Sequence, residues 1–191
     1  LSGWRLFVAV PVPGGTLRAM VDWTGEWGAR RRGWRPVRPE GIHLTLRFLG
    51  ETDPGLVDSL AESLERVAAA ARPLAVTAAG WGVFPGPGRP RVLWAGLRGE
   101  LDPLAGLARA VEEAVVDLGF SRERRPFRPH LTLARARRDR RPLLPGRPDP
   151  FVPEFGPVPV EEVVLYRSHL APDGARYEAL ARAPVGGGSA P

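Results

Sequence analysis

The chain has 191 residues, 43% of them apolar and 25% charged, so it carries enough apolar material for one sizeable core and is not a disordered polymer. It contains no cysteine, which excludes disulfides, thiolate metal sites and cysteine nucleophiles. The formal net charge is +6 and every basic residue is arginine; that favours an anionic partner, nucleic acid first, although part of such a charge in an Ala-, Gly- and Pro-rich chain is merely solvated surface.

The first predicted element is a strand over Trp4 to Val10, a β-branched and aromatic run closed by Pro11 and Pro13. A helix follows over Leu17 to Arg30, with Leu17, Met20, Val21 and Trp27 at helical spacings, and then a loop over Gly33 to Gly41. His43 to Leu49 alternates and reads as a strand, and Pro54 to Ala71 reads as an amphipathic helix from Leu56, Leu60, Leu64 and Val67. Leu74 to Ala79 and Val92 to Leu97 are strands on either side of a Gly- and Pro-rich loop, and Leu101 to Leu118 is a helix stopped by Gly119. Phe127 to Ala134 leads into a strand. Arg135 to Pro159 has no period and is expected to be a long loop, with Val160 to Ser168 and Tyr177 to Ala183 as closing strands. Residues 186–191, a Gly-rich end, are expected to be a disordered tail.

An internal repeat organises these elements. His43 and His130 stand 87 positions apart, and the same offset lays Leu17 on Leu104, Pro39 on Pro126, and the lead strand at Leu6-Phe7 on Leu93-Trp94. It also lays the strand from Leu74 on Glu161 to Tyr166. The expectation is one bilobal domain over residues 1–185, its halves about residues 4–79 and 91–166, related by a pseudo-two-fold axis.

Both histidines begin the tetrapeptide HLTL. In a strand, side chains alternate between faces, so His43 joins Thr45 and His130 joins Thr132, while the leucines face a core. Either motif alone is a weak signal, but two of only three histidines sharing it is a strong one. Two imidazoles facing each other across a cleft suit in-line displacement at phosphorus, because a side chain with a pKa of about 6.5 serves as either acid or base. The threonine hydroxyls are placed to donate to phosphoryl oxygens. Zinc would need a third ligand that neither motif supplies, and no HExxH, P-loop or GxSxG occurs. His169 reads as a strand-end residue, and an extended chain keeps it from forming a dyad with the adjacent Ser168.

Around this pair, alternation puts Arg47 on the face of His43, either against phosphate or paired with a carboxylate. Arg135, Arg137, Arg138, Arg140 and Arg141 follow the second motif, to track an RNA backbone or to lie solvated on a loop. Trp34, Trp81, Trp94 and Phe84 are candidates for a base-stacking platform, with core packing as the alternative.

These features resemble the 2H phosphoesterase superfamily, and within it the bacterial and archaeal RNA 2',3'-cyclic phosphodiesterases, also called 2'-5' RNA ligase-like proteins. The resemblance lies in Arg5 to Ala9, HLTLRFLG from His43, PRVLWAGL from Pro90, RPFRPHLTLAR from Arg125, and Ser168, Leu170, Pro172, Gly174 and Tyr177; it spans about residues 4–183. It implies an α+β fold of two pseudo-symmetric lobes of antiparallel sheet, with outer helices and a central cleft carrying the two motifs. It implies hydrolysis of RNA 2',3'-cyclic phosphate ends to 2'-phosphates, with 2'-5' ligation as a related activity. His43 is implied as proton donor and His130 as proton acceptor, with Thr45 and Thr132 beside them. Arg47, Arg128, Arg135 and Ser168 are the candidate substrate-binding residues.

No metal or nucleotide cofactor is expected. The expected partner is RNA with a cyclic phosphate end, tRNA-derived RNA being one source; no membrane partner is expected, since no apolar run approaches the roughly 18 residues of a span. A cytoplasmic monomer is the simplest reading. Two alternatives stay open: a phosphodiesterase for a small cyclic phosphate or cyclic nucleotide, and a non-catalytic RNA-binding module. Two ordinary imidazoles predict a bell-shaped pH–rate profile with both limbs between about pH 5 and 8.

Overall fold

The computed structural model describes residues 3–29, 33–137, 142, 152–171 and 174–187. Nine strands and three α-helices alternate along these residues: β1 (Trp4–Val10), α1 (Gly14–Ala29), β2 (Trp34–Pro36), β3 (Leu44–Thr52), α2 (Val57–Ala70), β4 (Leu74–Phe84), β5 (Val92–Gly99), α3 (Leu101–Asp117), β6 (Leu131–Ala136), β7 (Glu154–Val160), β8 (Glu162–His169) and β9 (Arg176–Pro184). All strand pairs are antiparallel and run in the order β7-β4-β5-β6-β3-β1-β8-β9, with β2 pairing β6 off this path.

The seam of the sheet is the β3–β6 junction, where Leu44 is paired with Leu131. Outward from it run β3, β1, β8 on one side and β6, β5, β4 on the other. Each lobe therefore takes its third strand from the other half of the sequence. Ala9 lies opposite Thr45, and Trp94 lies opposite Thr132. Those partners stand 85 positions apart, so the single offset of 87 holds at the motif strands and slips by two in the lead strands. A slip of two preserves which face each side chain takes.

The core lies between one face of the sheet and the helices. Leu44, Leu131 and Leu133 are fully buried, as are Leu60 of α2 and Leu104, Val111 and Val115 of α3. The periodicity that predicts α2 is the one it buries, through Leu60, Leu64 and Ala68. Its N-terminal turn is a 3-10 turn over Pro54–Leu56, capped by the Asp53 carboxylate, which accepts from the Gly55 N–H at 2.9 Å. Gly119 ends α3 with φ of 93°, a conformation that favours glycine.

Four expectations need correction. The loop over Gly33 to Gly41 contains β2, whose Trp34 pairs with Ala136 and is buried, and a 3-10 turn over Pro39–Gly41. The long loop after the second motif ends in β7, whose Pro157 and Pro159 suppress the sequence signal; among the described residues β7 pairs only with β4, at the end of the strand order, where missing donors are tolerated. Val160 closes β7, and β8 begins at Glu162. β4 continues through an irregularity between Ala78 and Trp81 to Phe84, five residues past its expected end. Of the expected tail, Gly186 donates its N–H to the Ala68 carbonyl at 3.0 Å, and residues 188–191 lie outside the described residues, as do Arg138, Arg140, Arg141 and Pro172.

Candidate active site

His43 and His130 each immediately precede the paired leucines of the seam. Continuing that antiparallel register sets His43 opposite Thr132 and Thr45 opposite His130. Since Leu44, Leu46, Leu131 and Leu133 are buried in the core, the two histidines and two threonines, all half-buried, occupy the other face.

His43 sits in an aromatic cage. Phe7 stacks on it with centroids 4.6 Å apart, Tyr177 meets it edge-on at 5.2 Å, and Tyr166 lies beyond Phe7 at 6.2 Å from the imidazole. Burial in this cage, then the positive charge of Arg135, then His130, lower its pKa to about 4. His43 is therefore neutral near pH 7 in the free protein, which departs from the expectation of two ordinary imidazoles. His130 is held differently. Its Nδ1 lies 2.7 Å from the Arg128 carbonyl oxygen. A carbonyl can only accept, so Nδ1 carries the proton and the neutral ring keeps an open lone pair at Nε2. Phe84 meets this ring edge-on at 5.1 Å.

Arg47 does not fall where alternation places it. β3 carries an irregularity opposite Val8 and Ala9: Ala9 pairs with Thr45, Val8 with Arg47 and Phe7 with Phe48. Leu46 is the extra residue of a bulge, so Arg47 turns to the helix side and Phe48 joins the face of His43. There the Arg47 guanidinium pairs with Glu112 of α3 and donates to the Ser121 carbonyl. Glu112 in turn accepts from the Glu123 N–H at 2.7 Å. Arg47 is thus a buckle that fastens the loop after α3, on the wall of an open groove of about 610 Å³ that also contains Phe120, Arg122 and Arg124.

β6 repeats the bulge. Thr132 pairs with Trp94, Ala134 with Leu93 and Arg135 with Val92. The extra residue is Leu133, and Arg135 rejoins the face of Thr132, which accounts for its charge acting on His43. Arg128 is exposed and contributes its carbonyl to His130. Ser168 lies between Arg5 of β1 and Tyr177 of β9, on the same side of β8 as Tyr166. His169 bonds Glu178 at 2.8 Å at the end of β8. Among the described residues no three His, Asp or Glu side chains gather as metal ligands.

Of the expected aromatic platforms, Trp34 is core and Trp81 packs with Trp23. Trp94 and Phe84 do border the site, with rings 5.1 Å apart, and a side chain at Gly82 would run into the Trp94 indole. Sequence reasoning missed the cage of Phe7, Tyr166 and Tyr177 and the position of Phe48. The available signal was parity: Phe7 lies two residues before Ala9, on the strand that flanks the first motif.

The profile of the LigT-like phosphoesterases matches this chain over residues 10–94 and again over 99–177. The chain is 38% identical to an RNA 2',3'-cyclic phosphodiesterase of Thermus thermophilus, over 92% of this chain and 87% of that one. It is 36% identical to one of Archaeoglobus fulgidus, over 92% and 97%. A third, from Geobacillus stearothermophilus, is 36% identical over 94% of this chain, and the alignment spans 56% of that longer protein. Among solved structures, a protein of Thermus thermophilus superposes with a TM-score of 0.79 at 34% identity, covering 96% of this chain and 98% of that one. E. coli LigT complexed with 3'-AMP superposes with a TM-score of 0.78 at 29% identity over the same shares. With two profile matches covering most of its length, relatives above 30% identity and a paired histidine–threonine face at the seam of a curled antiparallel sheet, the chain belongs to the LigT-like phosphoesterase family.

Proposed function

We propose that this protein hydrolyses RNA 2',3'-cyclic phosphate ends to 2'-phosphates, with His43 and His130 as the acid–base pair. The observation that carries this is the single seam that sets His43, Thr45, His130 and Thr132 on one face. Relatives named RNA 2',3'-cyclic phosphodiesterase support the substrate. E. coli LigT structures with 3'-AMP, ATP and phosphate support a site for nucleotide phosphates.

In this reading, Nε2 of His130 takes a proton from the attacking water as its oxygen bonds to phosphorus. The P–O3' bond breaks opposite, and protonated His43 gives its proton to O3', leaving a 2'-phosphate and a free 3'-hydroxyl. Thr45 and Thr132 donate to the non-bridging oxygens. Arg135 supplies positive charge on the same face, and Ser168 borders the His43 side. His43 must be charged to act, although burial and Arg135 disfavour that in the free protein. A bound phosphodiester brings the negative charge that reverses the balance, so the substrate loads its own acid. Arg47, fastened to Glu112, is assigned to the scaffold and not to phosphate.

The RNA is read as the 3' end of a cleaved strand, tRNA fragments included, acted on by a single bilobal domain that works as a cytoplasmic monomer. No helix among the described residues is long and apolar enough to cross a membrane. The test is product identity: purified protein, in EDTA, with a short RNA ending in a 2',3'-cyclic phosphate. A 2'-phosphate product supports the reading; a 3'-phosphate product means that the ring sits in the opposite sense.

A further inference from the structure

We propose that the loop from Ser121 to Arg128 is a docking track for the body of the RNA, holding phosphates upstream of the reactive end. The proposal rests on the reading of the site as a phosphoesterase for RNA ends. The charge of the loop, the way it is held and its place beside His130 carry it.

The charge is local. Residues 121–128 contain four arginines and one glutamate, so eight residues hold a net charge of +3, half of the +6 of the whole chain. All four arginines are exposed. Glu123 is taken up by Arg125: its carboxylate accepts from the Arg125 N–H at 3.0 Å and lies 3.5 Å from the guanidinium. Glu112, the acid that the loop reaches, is held by Arg47. Arg122, Arg124 and Arg128 therefore keep their charges without a carboxylate partner among the described residues. Three like charges so close together repel one another, and a polyanion relieves that repulsion.

The loop is also held in one shape, although it contains neither helix nor strand. The Ser121 carbonyl accepts from Arg47, the Glu123 N–H donates to Glu112 at 2.7 Å, and the Arg128 carbonyl accepts from Nδ1 of His130 at 2.7 Å. A loop that served only solubility would gain nothing from such ties. A loop that binds a ligand gains affinity, because it has little freedom left to lose. The open groove of about 610 Å³ beside it, with Arg122 and Arg124 on its wall, leaves room for a strand.

Its place selects the ligand. The track ends at Arg128, two residues before His130 and bonded to that imidazole. An RNA end seated at His130 brings its own upstream phosphates to the loop, and the covalent tether raises their effective concentration. An acidic protein has no such tether, and a mononucleotide has no upstream phosphate to offer. The loop thus favours a polymer over a mononucleotide, and it senses backbone charge without reading bases.

The experiment compares an unstructured RNA decamer ending in adenosine 2',3'-cyclic phosphate with the mononucleotide adenosine 2',3'-cyclic phosphate, at about 50 and about 200 mM salt. Three neutralised phosphates, at a log–log slope of about −0.7 each, should make kcat/KM for the decamer fall about fifteen- to twentyfold more than that for the mononucleotide. The triple variant Arg122→Ala, Arg124→Ala and Arg128→Ala should bring the two salt dependences together, and the corresponding triple Lys variant should keep them apart. Removing three exposed arginines of the helix layer instead, Arg18, Arg66 and Arg72, should leave the difference in place. Equal salt dependence of both substrates in the native protein, or a difference that survives the loop triple Ala variant or disappears equally in the helix-layer variant, overturns the proposal. Should the protein hydrolyse neither substrate, the phosphoesterase reading fails on its own, and fluorescence anisotropy of a labelled decamer ending in a 2'-phosphate still decides the track. Binding that the loop triple Ala variant weakens by about tenfold or more supports it, and equal binding overturns it.

Discussion

Leu44 and Leu131 are partners across the seam of the sheet, fully buried, and each is preceded by a histidine. The two lobes are thereby aligned through one residue pair, and the face behind it carries both histidines and both threonines. Leu131→Ala removes a buried side chain at this point and should cost about 2–5 kcal/mol of stability. Urea denaturation checks the loss, and activity should fall further than the fraction folded does, because both motifs lose their alignment. Full activity in the folded fraction would show that the seam does not set the site.

The cage around His43 has a pH signature. The folded imidazole resists protonation down to about pH 4, whereas the unfolded one protonates near 6.5. Between those values the unfolded chain binds the extra proton. The contribution of His43 to stability is therefore complete above about pH 6.5 and is lost as the pH falls toward 4, by on the order of 3 kcal/mol. Denaturation at pH 7 and pH 4 should show a larger drop for the native protein than for His43→Gln. Equal drops would mean that the cage does not perturb the group.

Arg135 and the substrate act on the same imidazole with opposite sign. Removing the guanidinium removes a positive neighbour, so Arg135→Ala should raise the His43 pKa toward 6.5. Adenosine 2'-monophosphate, an anion, should raise it too. NMR titration of the His43 ring measures both, and a pKa that moves down or stays fixed in both cases would contradict the proposed loading of the acid.

Arg47 and Glu112 keep only 11% and 14% of their side chains exposed. Truncating one leaves the other charged and poorly solvated, so Arg47→Ala should cost about 2 kcal/mol or more. The double variant with Glu112→Ala should lose less than the sum of the two singles. A strictly additive cycle would show that the buckle carries no coupling.

The sequence read well where a side chain's face depends on simple alternation. His43 with Thr45, and His130 with Thr132, follow from a period of two beside leucines that must be buried. Arg47 pairs with a carboxylate, one of its two expected partners, but on the other face from the one alternation assigns, because a bulge inserts one residue and neither bulge is marked by glycine or proline; Leu46 and Leu133 look like any other strand residues. β7 was hidden for a different reason. Its prolines carry a loop signal, which only its place at the end of the sheet cancels. The rest of the aromatic cage was out of reach because Tyr166 and Tyr177 come from β8 and β9, and their convergence on Phe7 depends on the exchange of third strands between the halves.

The central claim is that two imidazoles on one face perform the reaction. The most direct measurement is single-turnover hydrolysis of an RNA ending in a 2',3'-cyclic phosphate by the native protein, His43→Ala and His130→Ala, each checked for native circular dichroism. The account predicts a 2'-phosphate product from the native protein and a fall in rate of about a hundredfold or more in each folded variant, the usual contribution of a general acid or base. Either variant hydrolysing at the native rate would contradict it.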